Sequence, residues 1–194
     1  MATPPDFTAG SVLTAAQMNA VGLWRITGCT VTSVGGTAAT ASNGVITIGS
    51  GNTSVTVSSA FSGDFTNYRI IMEGIVNSTA ANLELQLSGI TTNVYSTGGT
   101  FFTYGSATVS GYGPAAGARW LISPAGATNT HVIVDVLTPQ STTQKAMFTQ
   151  GTSTASYYSF GGTCTSTSSA TGFVVSSNAG SMTGGTIRVY GYRK

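Results

Sequence analysis

From Trp24 onward, apolar and polar side chains alternate along much of the chain. The alternation is clearest where Leu83, Leu85 and Leu87 are separated by polar residues. A period of two is typical of a strand with one face in the core and the other in solvent. Turns rich in Gly and Ser separate such segments at the spacing expected of sandwiches and barrels. The predicted strands, roughly ten in number, cover residues 46–48, 55–57, 68–73, 83–87, 101–104, 119–122, 131–137, 146–150, 157–160, 172–175 and 186–192.

The same pattern sets the fold class and the domain organisation. No second helical pattern interrupts the strands, which excludes a parallel α/β fold. We expect an all-β chain, with an antiparallel, jelly-roll-like β-sandwich over residues 25–194 and an arm with a short helix over residues 1–24. Within the sandwich, residues 46–48 and 55–57 flank a Gly-Ser-Gly-Asn turn, which predicts that they pair as a hairpin.

A short helix is predicted in the N-terminal arm. Thr14 is a suitable N-cap, and Gln17 stands three residues later as its capping-box partner. Leu13 and Met18 occupy the positions of a hydrophobic staple, and Gly22 provides a C-terminal stop. The helix is about two turns long, whereas isolated helices become marginally stable only at about 12 residues. It therefore needs a partner, either its own sandwich or a neighbouring molecule.

The segment before the helix favours the neighbouring molecule. Two prolines stiffen the approach of the chain, and Phe7 follows them as an aromatic anchor. We therefore expect the arm to attach to another subunit or to a larger particle. The expected attachment residues are Phe7, Leu13, Met18 and Trp24.

Composition narrows the classes of partner. Only 6% of residues are charged and the net charge is +2, with seven Lys and Arg in total, which is too few for nucleic-acid binding. Disorder is excluded because the hydrophobic fraction is 41%. No apolar run approaches the roughly 20 residues that span a bilayer, and the N-terminus lacks a signal-peptide pattern, so we expect cytosolic synthesis without membrane insertion.

Cys29 and Cys164 lack a CxxC spacing and are expected to be unpaired.

The chain has few residues that could carry out chemistry. His131 and Asp135 share one face of a predicted strand but lie about 13 Å apart, beyond any hydrogen bond. Glu73 and Glu84 could form a glycosidase pair if their strands were neighbours, although outward-facing ion pairs are the better interpretation. One histidine and two separated cysteines cannot complete a zinc site, and Asp64 alone is weak support for calcium. We predict no catalytic residue, no metal and no cofactor.

Aromatic and apolar positions are the remaining candidates for binding. Tyr95 and Tyr112 lie in segments rich in Gly, Asn or Ser, so we expect them to be exposed and to face a ligand such as a sugar. Ile71 and Ile133 fall on the nominally polar face of their strands. Their positions favour burial of that face between the subunits of a homo-oligomer.

Two stretches resemble a known class of proteins. Residues 4–19, PPDFTAGSVLTAAQMN, resemble the opening of tailed-phage minor tail and tail-fibre proteins, and residues 183–192, TGGTIRVYGY, resemble the last strand of sandwich domains in such proteins. The resemblance implies a virion structural protein, often trimeric and assembled in the host cytoplasm. It implies an arm bound to other virion proteins and a sandwich that adheres to a glycan or protein of the host surface. The alternatives are a capsid decoration or head-fibre protein and a carbohydrate-binding module.

Overall fold

The chain folds into antiparallel β-sheets. The computed structural model describes residues 22–92, 94–106, 108–113, 117–126 and 129–192. Within these ranges the regular structure consists of strands, which confirms the predicted all-β class. The predicted helix of the arm lies outside the described residues. The strands are β1 (Leu23–Arg25), β2 (Thr30–Val34), β3 (Thr40–Ser42), β4 (Val45–Thr47), β5 (Ser54–Ser58), β6 (Asn67–Asn77), β7 (Ala81–Leu87), β8 (Tyr95–Thr103), β9 (Val109–Tyr112), β10 (Trp120–Gly126), β11 (Thr130–Leu137), β12 (Lys145–Thr152), β13 (Ser156–Cys164), β14 (Phe173–Ser177) and β15 (Met182–Tyr192).

The strands form a large sheet and a small sheet. The large sheet has ten strands in the order β3-β4-β15-β6-β11-β12-β13-β8-β9, with β1 also paired to β15. The small sheet has five strands in the order β10-β7-β14-β5-β2. The chain crosses between them repeatedly, because β4, β6 and β8 belong to the large sheet whereas β5 and β7 belong to the small sheet. Two antiparallel sheets that share one core form a β-sandwich.

The core is built from the inward side of each alternating strand. Leu83, Leu85 and Leu87 of β7 are fully buried, which confirms the predicted inward row. Trp120 and Tyr95 meet edge-on in the same core, with ring centroids 5.0 Å apart. Burying a large apolar side chain contributes about 1.5–3 kcal/mol, so this shared core is the main source of stability.

The segments on either side of the Gly-Ser-Gly-Asn turn do not form the predicted hairpin, because β4 belongs to the large sheet and β5 to the small sheet. The turn is a corner that carries the chain between sheets. At its centre the buried side chain of Asn52 donates from Nδ2 to the carbonyls of Thr37, 2.9 Å, and Gly49, 2.6 Å. The backbone N–H of Asn52 donates to the carbonyl of Met182 on β15. These bonds fix the corner and direct β5 away from β4.

Both cysteines are free thiols, as predicted. Cys29 is half-buried and Cys164 is buried. Desolvation raises the pKa of both thiols, to about 11 for Cys29, against smaller lowering effects from backbone hydrogen bonds. At neutral pH both side chains are therefore protonated and pack as small apolar groups.

Candidate functional site on the large sheet

The two sheets present different outer faces to solvent. On the small sheet, the outward positions of β5 and β7 are polar, and they include Thr56, Glu84 and Gln86. On the large sheet, apolar side chains collect on the outer face, and Phe148 is the most exposed of them at 57%. Contiguous exposed apolar patches mark interaction sites. The outer apolar face is defined here as Ile71, Phe102, Val109, Ile133, Phe148 and Tyr157.

The strand register places the members of this face in separate rows, and Gln150 and Ser159 continue the row of Ile133 between Phe148 and Tyr157. Tyr157 of β13 lies opposite Phe102 of β8, which lies opposite Val109 of β9. The ring centroids of Tyr157 and Phe102 are 6.2 Å apart. On the neighbouring strands, Ile133 of β11 lies opposite Ile71 of β6. Directly opposed side chains approach to about 5 Å, so each row forms a contact across its strands.

A shallow depression of about 330 Å³ lies on this face. Apolar side chains of Ile71, Ile133 and Tyr157 line it together with the polar side chains of His131 and Gln150. A mainly apolar surface with a few polar groups is the usual composition of a binding site. The depression is therefore suited to binding, and Glu73 contributes a carboxylate to its lining.

An ion cluster neutralises charge beside the outer apolar face. Arg69 donates two hydrogen bonds to Asp135, from Nε at 2.8 Å and from Nη2 at 2.7 Å, and the hydroxyl of Tyr192 donates to the same carboxylate at 2.6 Å. The guanidinium carbon also lies 5.5 Å from the centroid of the Tyr192 ring. Desolvation pushes the pKa of Asp135 upward, but the hydrogen bonds and the charge of Arg69 outweigh it, so that this pKa lies below its usual range. Desolvation and the hydrogen bond to Asp135 raise the pKa of Tyr192 to about 12.

Glu73 and Glu84 do not form a carboxylate pair. Glu73 lies on β6 of the large sheet, and Glu84 lies on β7 of the small sheet. Glu73 accepts a hydrogen bond from Arg188 of the adjacent strand β15, and Glu84 accepts one from Arg119 at 3.3 Å. The prediction of outward-facing ion pairs is confirmed for both residues. The two glutamates do not lie on neighbouring strands, as a glycosidase pair would require.

His131 and Asp135 lie on one face of β11, as predicted, but in different rows. His131 lies opposite Thr152 of β12, whereas Asp135 lies opposite Phe148. The row of Ile133 separates them. Asp135 is already bound to the guanidinium of the ion cluster, so the two residues do not act as a catalytic pair.

The predicted attachment residues are only partly described. Phe7, Leu13 and Met18 lie outside the described residues. Trp24 lies in β1, where it is half-buried and packs against the core of the sandwich. Its predicted role in attaching the arm therefore stays a prediction.

The prediction that Tyr95 is exposed is wrong, since the side chain is buried in the core. Its hydroxyl donates to the carbonyl of Ile90 at 2.9 Å and accepts from the N–H of Leu87 at 3.0 Å. Tyr112 lies on the edge strand β9 rather than in a loop, and it is half-buried against Phe160 with ring centroids 6.0 Å apart. Neither tyrosine contributes to the outer apolar face.

Sequence reasoning missed the aromatic members of that face. Phe148 follows Met147, and Tyr157 precedes Tyr158; the buried positions are taken by Met147 in the first pair and by Tyr158 in the second. Where two large apolar residues are adjacent, alternation does not indicate which one points inward. The adjacent pair is itself the sequence signal for an exposed apolar residue, because a strand with one face in solvent buries only one of two neighbouring side chains.

A buried polar row lies on the inward side of the same sheet. Lys145, Cys164 and Tyr95 are directly opposed on β12, β13 and β8, and all three are buried. The Nζ of Lys145 donates to the carbonyls of Thr143, 3.1 Å, and Ser166, 2.8 Å. Desolvation lowers the pKa of this ammonium. The lysine thus holds two loops together at the end of the sheet.

Neither a metal cluster nor a membrane-spanning helix is found among the described residues. In that part of the chain, no three His, Cys, Asp or Glu side chains lie close enough to hold a metal ion together. The same residues include no helix of the length and hydrophobicity needed to span a bilayer. Comparisons of the chain with protein-family models, with curated proteins and with solved structures give no match. The outer apolar face is accordingly the candidate site that the geometry itself supplies.

Proposed function

We propose that the chain is a structural protein of a tailed-phage virion, attached to the particle through residues 1–24 and displaying its β-sandwich at the surface. The likeness of residues 4–19 to the opening of phage minor tail and tail-fibre proteins carries the proposal. In this proposal the arm forms a short docking helix, and the sandwich is jelly-roll-like. Its role is adhesion to the host surface.

The character of the sandwich supports a binding role. Glu73, Glu84 and Asp135 are each paired with an arginine, so these carboxylates serve to hold strands together. The outer apolar face offers an extended surface for association instead. An exposed surface for association is consistent with a binding role at the surface of a particle.

Deletion of residues 1–22 tests the attachment. Every described strand begins after this segment, so the shortened chain is expected to fold and to lose incorporation into particles. Incorporation is measured by immunoblotting purified particles after complementation of a phage lacking the gene. Normal incorporation of the shortened chain would overturn the proposal.

A point variant makes the same test within the full-length chain. Leu13→Ser with Met18→Ser removes the two staple residues and is expected to reduce incorporation at least about tenfold, as for loss of hot-spot contacts. Val34→Ser is the matched control, because Val34 is exposed on β2 of the small sheet and lies outside residues 1–24. Immunogold labelling of the sandwich then distinguishes a tail from a capsid position.

A further inference from the structure

A trough lined by two aromatic rings runs along β12 on the outer face of the large sheet. Tyr157 lines one depression of about 330 Å³, and Phe148 lines a second of about 350 Å³. Ile133 and Gln150 line both depressions, which therefore adjoin. The trough is defined here by His131, Ile133, Phe148, Gln150, Tyr157 and Ser159.

Both rings are supported by the chain on one side and open to solvent on the other. The Phe148 ring leans over Gly161 of the adjacent strand, with ring carbons 3.6 Å from the position that a Cβ on this glycine would take. Tyr157 lies beside Phe102, with ring centroids 6.2 Å apart and planes tilted by 39°. Phe148 is nevertheless 57% exposed and Tyr157 38%. Open aromatic faces of this kind are suited to packing against the C–H face of a sugar ring.

The spacing of the two rings indicates the size of the ligand. Tyr157 lies opposite Thr152 of β12, four residues beyond Phe148 on that strand. Four residues of an extended strand span about 13 Å, which is the length of about three sugar rings rather than one. A short chain of sugars therefore fits the trough better than a monosaccharide.

Polar side chains without partners lie between the two rings. Among the residues that the structure describes, the side chains of His131, Gln150 and Ser159 have no hydrogen-bond partner. An amide, a hydroxyl and a neutral imidazole each donate and accept hydrogen bonds, as sugar hydroxyls also do. A wholly apolar partner would remove water from these groups without replacing its hydrogen bonds. The trough therefore favours a ligand that is rich in hydroxyl groups.

The charges beside the trough favour a neutral ligand. Arg69 is paired with Asp135, and Arg188 is paired with Glu73. Neither guanidinium is therefore left to bind the carboxylate or sulfate of an acidic sugar. Such a sugar would lose water from its charge without gaining a cation in exchange.

We propose that the trough binds a neutral oligosaccharide laid along β12, with one sugar stacked on Phe148 and another on Tyr157. Hydroxyl groups between these two sugars bond to Gln150 and to the polar side chains beside it. The proposal rests on the proposed adhesive function, for which it names the ligand class and the site. It assigns glycan binding to the outer face of the large sheet and not to Tyr95, which is buried.

Binding of oligosaccharides to the purified full-length chain tests the proposal. An array of neutral and acidic glycans from bacterial surfaces is expected to show binding to neutral chains only. Binding to acidic glycans alone, or to none, would overturn the ligand class. Isothermal titration calorimetry then compares the tetrasaccharide and the disaccharide of the neutral chain that binds best. The tetrasaccharide is expected to bind about tenfold more tightly, because only it reaches both rings, and equal affinities would overturn the two-ring trough.

Variants of Phe148 test the role of the ring. Phe148→Ala is expected to weaken tetrasaccharide binding about tenfold, so that the two lengths bind alike. Phe148→Tyr keeps an aromatic face and is expected to bind like the unmodified chain. Val34→Ala is the matched control, because it shortens an apolar side chain of similar exposure, 62%, on the small sheet. A preference for the tetrasaccharide that survives in Phe148→Ala would overturn the assignment of this ring.

Hydroxyl-radical footprinting locates the bound oligosaccharide without any variant. Phe148 and Tyr157 are expected to lose reactivity when the tetrasaccharide is added at a fixed protein concentration, while Val34 keeps its reactivity. Protection that follows the protein concentration in the absence of glycan would overturn the sugar as occupant and would identify a second copy of the chain. Deletion of residues 1–22 removes no residue of the trough, so glycan binding and incorporation into particles test the two proposals separately.

Discussion

The glycines of the large sheet fall into two groups. At some of these positions the core leaves no room for a side chain, and at others a side chain would fit. Gly162 lies against the ring of Trp120, which in turn donates from Nε1 to the carbonyl of Thr163 at 3.0 Å. The indole therefore passes so close to β13 that a Cβ has no room. At the residue scale, the Cβ is excluded twice over, because the carbonyl oxygen of Ser96 on the adjacent strand would lie 2.6 Å from it and the Trp120 ring 2.8 Å.

The adjacent pair Gly98 and Gly99 offers a direct comparison. Gly99→Ala is expected to lower the free energy of unfolding by about 1–3 kcal/mol through overpacking, because its Cβ would collide with the backbone of Ser159 and Phe160. Gly98→Ala is expected to change it by less than about 0.5 kcal/mol or to raise it. Urea unfolding followed by tryptophan fluorescence measures both. Equal losses would mean that an unrecognised constraint acts on the outward side of β8.

The exposure of single residues was less predictable than the strands that contain them. Tyr95 sits at the start of β8 in a polar segment, yet two backbone groups at the end of β7 satisfy its hydroxyl in the core. Phe148 was predicted to lie in a strand, but its face depends on Met147 filling the core instead. Both outcomes depend on contacts between residues distant in sequence, which local alternation does not encode.

At the scale of elements, the ion cluster joins three strands of the large sheet. Arg69 belongs to β6, Asp135 to β11 and Tyr192 to β15, and these strands are adjacent in the order β15-β6-β11. The side chains are partly buried, 32% exposed for Arg69 and 25% for Asp135. A bidentate arginine–carboxylate pair with an added phenol fixes the register of the three strands more firmly than a single contact.

Replacement of Asp135 by asparagine tests this cluster. The pKa of Asp135 is lowered on folding, so its ionised form stabilises the native state above the unfolded-state pKa of about 3.9. That contribution is lost as pH falls through the lower native-state pKa. Asp135→Asn is expected to lower the free energy of unfolding by up to about 1 kcal/mol at pH 7, given the partial exposure. The difference from the unmodified chain is expected to shrink below about pH 4.

Denaturant unfolding at a series of pH values measures this difference. Glu84→Gln is the matched control, because the contact between Glu84 and Arg119 is a single, longer one at 3.3 Å on the small sheet. The control is expected to change stability by less than about 0.5 kcal/mol at all pH values. A pH-independent effect of Asp135→Asn would show that the carboxylate charge contributes nothing to folding.

The strands themselves were largely predictable, and their distribution between sheets was not. Residues 68–73, 83–87 and 131–137 all lie within observed strands, because alternation reports a half-buried strand directly. The prediction of a hairpin around the turn at residues 49–52 is wrong, because the Asn52 side chain donates to the carbonyls of Gly49 and Thr37 and its backbone N–H donates to Met182 on a strand far along the chain. A turn sequence favours a reversal but does not specify which sheet receives the next strand.

At the scale of the whole molecule, the sandwich combines a polar outer face with an apolar one. The polar side chains on β5 and β7 suit solvent, whereas the apolar face of the large sheet suits a partner. The sequence predicted the apolar character of the outer face only at Ile71 and Ile133. The other residues of the outer apolar face belong to strands for which the sequence did not indicate the buried side. Composition predicted a weakly charged sandwich, but only the sheet order brings the apolar positions together.

The pairing of β1 with the end of β15 has a mechanical consequence. Leu23 lies opposite Tyr192, so tension between the two ends of the described chain loads the hydrogen bonds of this pair one after another. The first buried anchor is Ile26, whose N–H donates to the carbonyl of Val189 at 2.9 Å. Peeling the three residues of β1, which also withdraws the half-buried Trp24 from the core, lengthens the tether by about 10 Å before Ile26 bears load. Optical-tweezer traces are expected to show this low-force extension ahead of the main rupture, and a single-step rupture would contradict it. If the chain is attached through residues 1–24 as proposed, β1 is the first strand to lengthen when that attachment is pulled.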